Sequence, residues 1–372
     1  MDLKAEVFGI NFRNPVLNAA GPTGRDADAL IAVAKGGAGG LVSKTISITP
    51  AIVPKPNMYS VGGGGLLNVE SWSEIPASEW ISTEYARAKK ETGLPLIASI
   101  GYLARDVGML AAKIEATGVV DAIECSVHYV PEAQGEKAVV EIVRAVRKNS
   151  RLPVIIKLSP HGYDVAAYAR AAEKAGASAI AAINSLGPCM KVNIESGAAV
   201  LGGKAWLSGS PIKALAVRRV AEISASVKKI PVIGVGGIMN GADAVEHIMA
   251  GASLVQVCTA GILKGPKIHG IIAAQIGEFM KKHGYTSIED FRGIALDYEG
   301  DVSAKKNAGP VTAVMVDSSL CSACNLCTES CVYGALKKSG KKGEKPELDA
   351  KKCSGCGLCV SVCPQNAIKL SS

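Results

Sequence analysis

The chain has 372 residues, of which 48% are hydrophobic and 4% aromatic, with 41 glycines; this fits about two to three domains, or one large barrel plus a small module. No uninterrupted apolar run reaches the roughly 18 residues of a membrane span, and residues 1–9 carry early charges in place of a secretory apolar stretch, so a cytoplasmic protein without membrane contact is expected. The formal charge of +8, from 41 Lys and Arg against 33 Asp and Glu, is weak ground for a nucleic-acid partner.

Over the first 300 or so residues, apolar β-rich runs alternate with amphipathic helical stretches. Strands are predicted at 15–20, 40–45, 95–101, 122–127, 154–158, 179–184, 232–236 and 254–259. Helical patterns lie between them, among others at 106–117, 136–149, 166–175 and 212–228. Gly176 and Gly251 each stop a helix just before a buried strand. Eight βα units in about 280 residues match the count and length of a TIM (β/α)8 barrel. The strands read as continuous apolar runs, as parallel strands covered on both faces should; a doubly wound open sheet is the alternative. The long connection 46–78, which holds Tyr59, Gly62, Gly65, Asn68 and Trp72, reads as an active-site lid with its glycine run as a hinge. The predicted α/β organisation is a catalytic barrel over 1–302, a linker at 303–310 and a C-terminal α+β domain of bacterial two-cluster ferredoxin type over 311–372.

That last domain rests on eight of the eleven cysteines. They form two runs, Cys321, Cys324, Cys327, Cys331 and Cys353, Cys356, Cys359, Cys363, the second followed by Pro364. In such runs the first three thiolates wrap one [4Fe–4S] cluster and the fourth crosses to the other. The expected sets are therefore Cys321, Cys324, Cys327 and Cys363 for one cluster, and Cys353, Cys356, Cys359 and Cys331 for the other. Zinc takes four ligands, usually as two separated pairs, and leaves a doubled four-cysteine run unexplained. A disulfide framework does not suit a large apolar chain without a secretory signal. The module also repeats internally: Val316-Asp317 precedes Cys321 as Leu348-Asp349 precedes Cys353. Two oxidised clusters at about −2 each bring the charge to about +4. Between the runs, Lys337, Lys338, Lys341, Lys342, Lys345, Lys351 and Lys352 are either a solvated loop or a docking face for an acidic electron-transfer protein.

Barrel enzymes work at the C-terminal ends of their strands. Here those ends carry Ala20-Gly21, Lys44, Ser126, Lys157, Asn184-Ser185, Gly236-Gly237 and Thr259-Ala260. Glycines after the seventh strand, with Gly209 in the segment that opens the helix from Ile212, let backbone N–H groups approach a phosphate. A phosphate site beside a one-electron relay points to FMN, the usual converter between single electrons and two-electron chemistry. Buried lysines at 44 and 157 would stabilise negative charge developing on reduced flavin or product.

These residues resemble the class 1 dihydroorotate dehydrogenase-like FMN barrels and the FMN and ferredoxin-like parts of dihydropyrimidine dehydrogenases. The matching strings are Asn14-Pro15-Val16 with Ala19-Ala20-Gly21, Ser43-Lys44-Thr45, Asn68, Lys157-Leu158-Ser159-Pro160, Asn184-Ser185, Ser208-Gly209 with Ile212-Lys213, Gly236-Gly237-Ile238, Gln256-Val257 with Thr259-Ala260, and Thr286 to Gly293. The resemblance implies FMN phosphate on Gly209, Gly236, Gly237, Thr259 and Ala260, and the flavin ring against Ala20, Gly21, Lys44, Lys157 and Asn184. It implies substrate contacts from Asn68, Ser126, Asn184 and Ser185.

The chain departs from the family after the fourth strand. Where the family carries a string like Asn-x-Ser-Cys-Pro-Asn, this chain has Ser126-Val127-His128-Tyr129-Val130-Pro131. Losing amides there leaves donors and acceptors of a pyrimidine unmatched, so a substrate other than orotate is expected. By strand alternation Glu124, Ser126 and His128 face the barrel mouth, making His128 the first candidate for proton transfer, with Tyr129 and then His161 behind it. Cys125, of opposite parity, is expected to pack outward and Cys258 to be packing as well; Cys189 is either a mobile thiol or filler. The expected function is FMN-dependent oxidation or reduction of a C–C bond beside a carbonyl in a small unsaturated substrate. The alternatives are a dihydropyrimidine or dihydroorotate dehydrogenase subunit with a rebuilt base, and a non-catalytic electron-transfer subunit. No strand–GxGxxG–helix fingerprint is present. The expected electron partner is thus a separate NAD(P)H-oxidising flavoprotein subunit or a soluble ferredoxin, and a homodimer is expected.

Overall fold

All eight predicted barrel strands form, in a computed structural model that describes residues 2–127, 135–161, 164–298, 313–315, 319–338 and 345–370. His128, Tyr129 and the linker at 303–310 lie outside the described residues. The strands are β1 (Val16–Asn18), β2 (Leu41–Val42), β3 (Leu96–Ile100), β4 (Ala122–Ser126), β5 (Val154–Leu158), β6 (Ala179–Ala182), β7 (Val232–Val235) and β8 (Ala252–Val257). They lie in one sheet in the order 1-8-7-6-5-4-3-2, every pair parallel. A parallel bridge from Leu17 to Gly40 closes the ring. At that seam the Asn18 side chain replaces backbone pairing: its Nδ2 donates to Val42 O at 2.7 Å and its Oδ1 accepts from Val42 N at 2.9 Å.

The hydrophobic pattern explains the closure. Residues of the central strands are buried on both faces. Ile97, Ala122, Ile155, Ala179, Ile233 and Leu254 fill the interior, capped by Val7 and Phe12 from an N-terminal hairpin of Ala5–Val7 and Ile10–Phe12. The opposite parity packs against the helices. Cys125 belongs to that outer layer, fully buried, as alternation required. The helix Gly135–Asn149 buries Ala138, Val139, Ile142, Val143 and Val146, a stripe of helical period. Asp26, Asp164 and Asn240 cap helix starts through their side chains. Gly176 ends its helix at φ +102°, a left-handed turn that glycine adopts without strain.

The 46–78 connection corrects the expected lid. Met58–Gly62 and Gly65–Asn68 form a hairpin and join Leu186–Val192 and Ala199–Gly209 in a four-stranded antiparallel sheet. The glycine run is the hairpin turn, and Gly209 ends a strand instead of lying in a loop. No described helix is long and apolar enough to cross a membrane.

The chain divides into two compact units, Met1–Tyr298 and Glu299–Ser372. In the second, Ala313–Met315 pairs antiparallel with Ile368–Leu370, and Leu336–Lys337 with Glu347–Leu348. Two short helices, Leu326–Glu329 and Leu358–Ser361, follow equivalent points of the two cysteine runs.

Candidate active site and cluster sites

The C-terminal ends of the barrel strands open into a cleft with about 960 Å³ of empty space, solvent at its mouth included. Every barrel strand end except that of β3 contributes, and the inserted sheet adds Met58, Leu66, Asn68 and Ser208. Ala20, Gly21, Lys44, Asn68, Ser126, Lys157, Asn184, Ser185, Gly209, Gly236, Gly237 and Thr259 all line this one space. Ala260 does not: it is fully buried in the first turn of the following helix, where α-helical geometry turns it from the cleft.

Both lysines are buried, Lys44 at 5% exposure and Lys157 at 4%, and each has a carboxylate partner. Lys44 Nζ lies 2.5 Å from Glu70 Oε2, and Glu70 also accepts from Asn57 Nδ2. Lys157 Nζ donates to Gln256 Oε1 at 3.0 Å and stands 3.5 Å from Glu124 Oε1, while Gln256 Nε2 donates to Glu124 Oε2 at 2.6 Å. Glu124 itself is fully buried inside the barrel. An unpaired charge at such depth is costly; these pairings let the fold keep four ionisable groups within the mouth. Asn68 is oriented from both ends, its Nδ2 donating to Trp206 O at 3.1 Å and its Oδ1 accepting from Glu70 N at 3.2 Å.

The opposite rim is backbone. A Cβ on Gly237 would stand 2.5 Å from Lys213 Cα, and one on Gly209 would stand 2.0 Å from Gly64 O. Both glycines have left-handed φ, +78° and +84°. No other residue fits these positions, so the rim presents main chain. Thr259 Oγ1 donates to Ser208 Oγ at 2.9 Å beside it. Behind it, the fully buried His247 joins Gly236 O through Nε2 at 3.0 Å, and its Nδ1 has no partner among the described residues. Burial pushes the His247 imidazole down to about 4, against the Gly236 hydrogen bond and Asp243, so the ring is neutral at ordinary pH. A bare main-chain rim at one end and buried, paired lysines at the other fit a flavin mononucleotide: phosphate at the glycines, polar ring toward the lysines.

Three residues of this cleft escape the sequence patterns. Glu70 lies two residues past the strand that ends at Asn68, tied back to it by the Glu70 N–H to Asn68 Oδ1 hydrogen bond, a placement visible only once that strand is known. Gln256 stands in a matched string but had no expected role. Cys258, expected as packing, lines the cleft, 3.1 Å from where a Cβ on Gly21 would stand. Burial pushes its thiol up to about 11, against the pull of Lys157. His161 is exposed, its Nδ1 2.7 Å from Ser159 Oγ and its ring edge-on to Trp206; it does not line the cleft. Cys189, on the inserted sheet, donates to Leu186 O at 3.5 Å, also away from the cleft.

In the second unit the eight thiols sort into two small cavities. One is lined by Cys321, Cys324, Cys327 and Cys363, the other by Cys353, Cys356, Cys359 and Cys331. Each cavity takes its fourth cysteine from the other run. Among the described residues no group of three or more His, Cys, Asp or Glu closes on a single metal ion, whereas a cubane with about 2.3 Å metal–sulfur bonds spans a wider cage. Burial alone would raise the Cys331 thiol, yet the backbone N–H groups of Leu336, Ala335, Tyr333 and Gly334 hold it below its ordinary value. Ala367 N donates to Cys363 Sγ at 3.3 Å. Cys331 thus sits in an N–H-rich turn suited to thiolate.

Comparison with known proteins agrees with both halves. Residues 2–280 match the family model for dihydroorotate dehydrogenase, and 320–367 match the 4Fe-4S dicluster domain. The catalytic subunit of dihydroorotate dehydrogenase B (NAD(+)) from Pyrococcus furiosus is 35% identical over 306 residues, 79% of this chain and 99% of the relative. That from Methanothermobacter thermautotrophicus is 35% identical over 307 residues, again 79% and 99%. That from Geobacter sp. strain M21 is 33% identical over 301 residues, 78% and 97%. The chain therefore belongs to the dihydroorotate dehydrogenase family, as an FMN oxidoreductase acting on CH–CH bonds that carries a ferredoxin-type domain for two [4Fe–4S] clusters.

Proposed function

We propose that the chain oxidises or reduces a C–C bond beside a carbonyl in a small unsaturated substrate other than orotate, and exchanges the electrons with a separate redox partner through its two clusters. The observation that carries this reading is the cleft: Lys44 and Lys157, each at most 5% exposed, share one space with Asn68, Ser126, Asn184 and Ser185. When bound there, FMN supplies hydride transfer and the conversion between two-electron and one-electron steps.

The chain's own groups do the rest. Gly209, Gly236 and Gly237 with Thr259 take the phosphate, and Ala20 and Gly21 offer the ring a flat wall. Lys44 and Lys157 stabilise negative charge developing where electrons arrive. Asn68, Asn184, Ser185 and Ser126 orient the substrate's polar groups. His128, with Tyr129 as the next candidate, moves the proton at the far side of the bond. Cys321, Cys324, Cys327 and Cys363 hold one cluster; Cys353, Cys356, Cys359 and Cys331 hold the other.

Ser126 supports the substrate assignment. It lines the cleft where the family carries an amide, and a hydroxyl puts its donor and acceptor on one oxygen, whereas an amide's separate C=O and NH2 span a neighbouring donor–acceptor pair of a pyrimidine edge. The relatives are named as NAD(+) enzymes and as catalytic subunits, which supports a partner that handles the nicotinamide, either a flavoprotein subunit or a ferredoxin recycled by one.

An anaerobic titration of the FMN- and cluster-loaded protein with dihydroorotate tests this. Dihydroorotate should leave the flavin band intact while dithionite still bleaches it. Bleaching by dihydroorotate overturns the substrate assignment. Bleaching by dihydrouracil alone keeps the chemistry and narrows the substrate to an uncharged dihydropyrimidine.

A further inference from the structure

Glu70 has no part in the chemistry above, yet it is fixed from three directions inside the cleft. Its backbone N–H is held by Asn68 Oδ1, and its carboxylate bridges Lys44 and Asn57 with a side chain only 9% exposed. Leu66 and Asn68 lie on the strand Gly65–Asn68 and Glu70 two residues beyond its end, and all three line the cleft. Among the described lining residues the charged groups are Lys44, Glu70 and Lys157, and Lys157 is already engaged by Glu124. Both cations are therefore paired, and the phosphate of FMN adds further negative charge. A ligand carboxylate would find no free cation there and would meet a fixed anion.

A carboxylate offers about four lone-pair sites, and Lys44 and Asn57 occupy two. Glu70 keeps acceptor capacity beyond these two contacts and lines the cleft.

We infer that Glu70 is the specificity-determining residue of the cleft: it excludes ligands that carry a carboxylate and receives an N–H or O–H donor of an uncharged, carbonyl-conjugated substrate. This rests on the cleft being the substrate site, as proposed above.

The test measures perturbation of the flavin absorption in the loaded protein, kept anaerobic, by matched pairs that differ only in carboxylate or carboxamide: orotate and orotamide, cinnamate and cinnamamide. The wild type should bind an amide member on the order of 100-fold more tightly than its carboxylate, because like charges at close range are strongly disfavoured. Glu70→Gln keeps the shape, removes the charge and frees Lys44. It should raise carboxylate affinity on the order of 100-fold and change amide affinity by less than about tenfold. Glu70→Asp keeps the charge and should keep the preference, a split that a purely structural role would not give. An unchanged ratio in Glu70→Gln overturns the inference, as does a variant with full FMN and iron content that binds no carboxylate. Should Glu70→Gln lose FMN, the wild-type ratio decides: carboxylates bound as tightly as amides overturn it. Bleaching of the wild type by dihydroorotate would sink the substrate assignment, whereas an unchanged ratio without such bleaching sinks only the role of Glu70.

Discussion

The two units hold their redox groups by opposite means. In the barrel the site is placed by a core that closes without help: the eight strands, their two buried faces and the Lys157–Gln256–Glu124 network are all protein. In the second unit the buried cluster is Cys327, Leu336, Cys359 and Ile368, so half of it is cysteine. Its strands are two or three residues long. With so small an apolar core the unit has little stability of its own to draw on, and ligation energy then becomes folding energy. The barrel is a preformed receptor; the ferredoxin unit is assembled around what it carries.

The largest expected effect breaks the second unit and spares the first. Cys356→Ser removes one thiolate from the cavity it shares with Cys331, Cys353 and Cys359. Iron should fall from about eight per chain to about four or fewer, because the crossing cysteines tie the two cages together. FMN content should stay within about twofold, since no group of the flavin cleft is touched. Equal loss of FMN and iron would show that the barrel leans on the clusters too.

The next test attacks the barrel's preformed rim. In Gly237→Ala the new Cβ meets backbone, not a movable side-chain tip, at a φ that alanine resists. FMN affinity should drop about 100-fold, with iron unchanged, read by flavin fluorescence on titrating the apoprotein. A drop of less than threefold would mean that the phosphate does not use this edge.

How much of this was legible beforehand follows the same divide. The cysteine spacing was enough to name both crossing sets, because cluster ligation is written in local sequence. The barrel strands were legible because parallel strands covered on both faces leave unbroken apolar runs. Lys44, Lys157 and Asn184 were legible as strand ends. Glu70 was not, because its place depends on Asn68 pairing with Trp206, 138 residues away. The same long-range pairing turns the expected lid into a sheet: nothing local in Met58–Gly62 announces its partner. Cys258 packs against the barrel interior as expected, but its place on the cleft wall was not legible, because β8 ends at Val257. Cys258 caps the next helix at φ −118°, ψ −70°, outside the two-residue period.

A smaller effect probes the support behind the rim. His247 is neutral in the fold, pushed down to about 4 by burial, while in the unfolded chain it titrates near 6.5. Between those values the unfolded state binds the extra proton, so acid favours unfolding. The barrel should lose about 2 kcal/mol from pH 7 to pH 5 through this residue alone. His247→Gln should flatten that part of the profile when unfolding is followed by flavin fluorescence. An unchanged slope would place the titrating group elsewhere.

The smallest effect tests how dry the preformed cleft is. Cys258 lies among Lys44, Lys157 and Glu70, and burial outweighs the lysines to push its thiol up to about 11. The reactive form is the thiolate, so each pH unit below that value lowers its fraction tenfold. Alkylation of Cys258 in the apoprotein should be slow at pH 8 and rise about tenfold per unit toward pH 11, and FMN should block it at every pH. Cys258→Ala should change FMN affinity by less than about threefold, because a thiol contributes little beyond its volume here. A rate that levels off near pH 8 or 9 would mean that the lysines, not burial, govern the site. The cleft would then be wetter than the paired lysines imply, and the case for Glu70 as a charge filter would weaken with it, since water between Glu70 and a ligand screens the repulsion on which the selection depends.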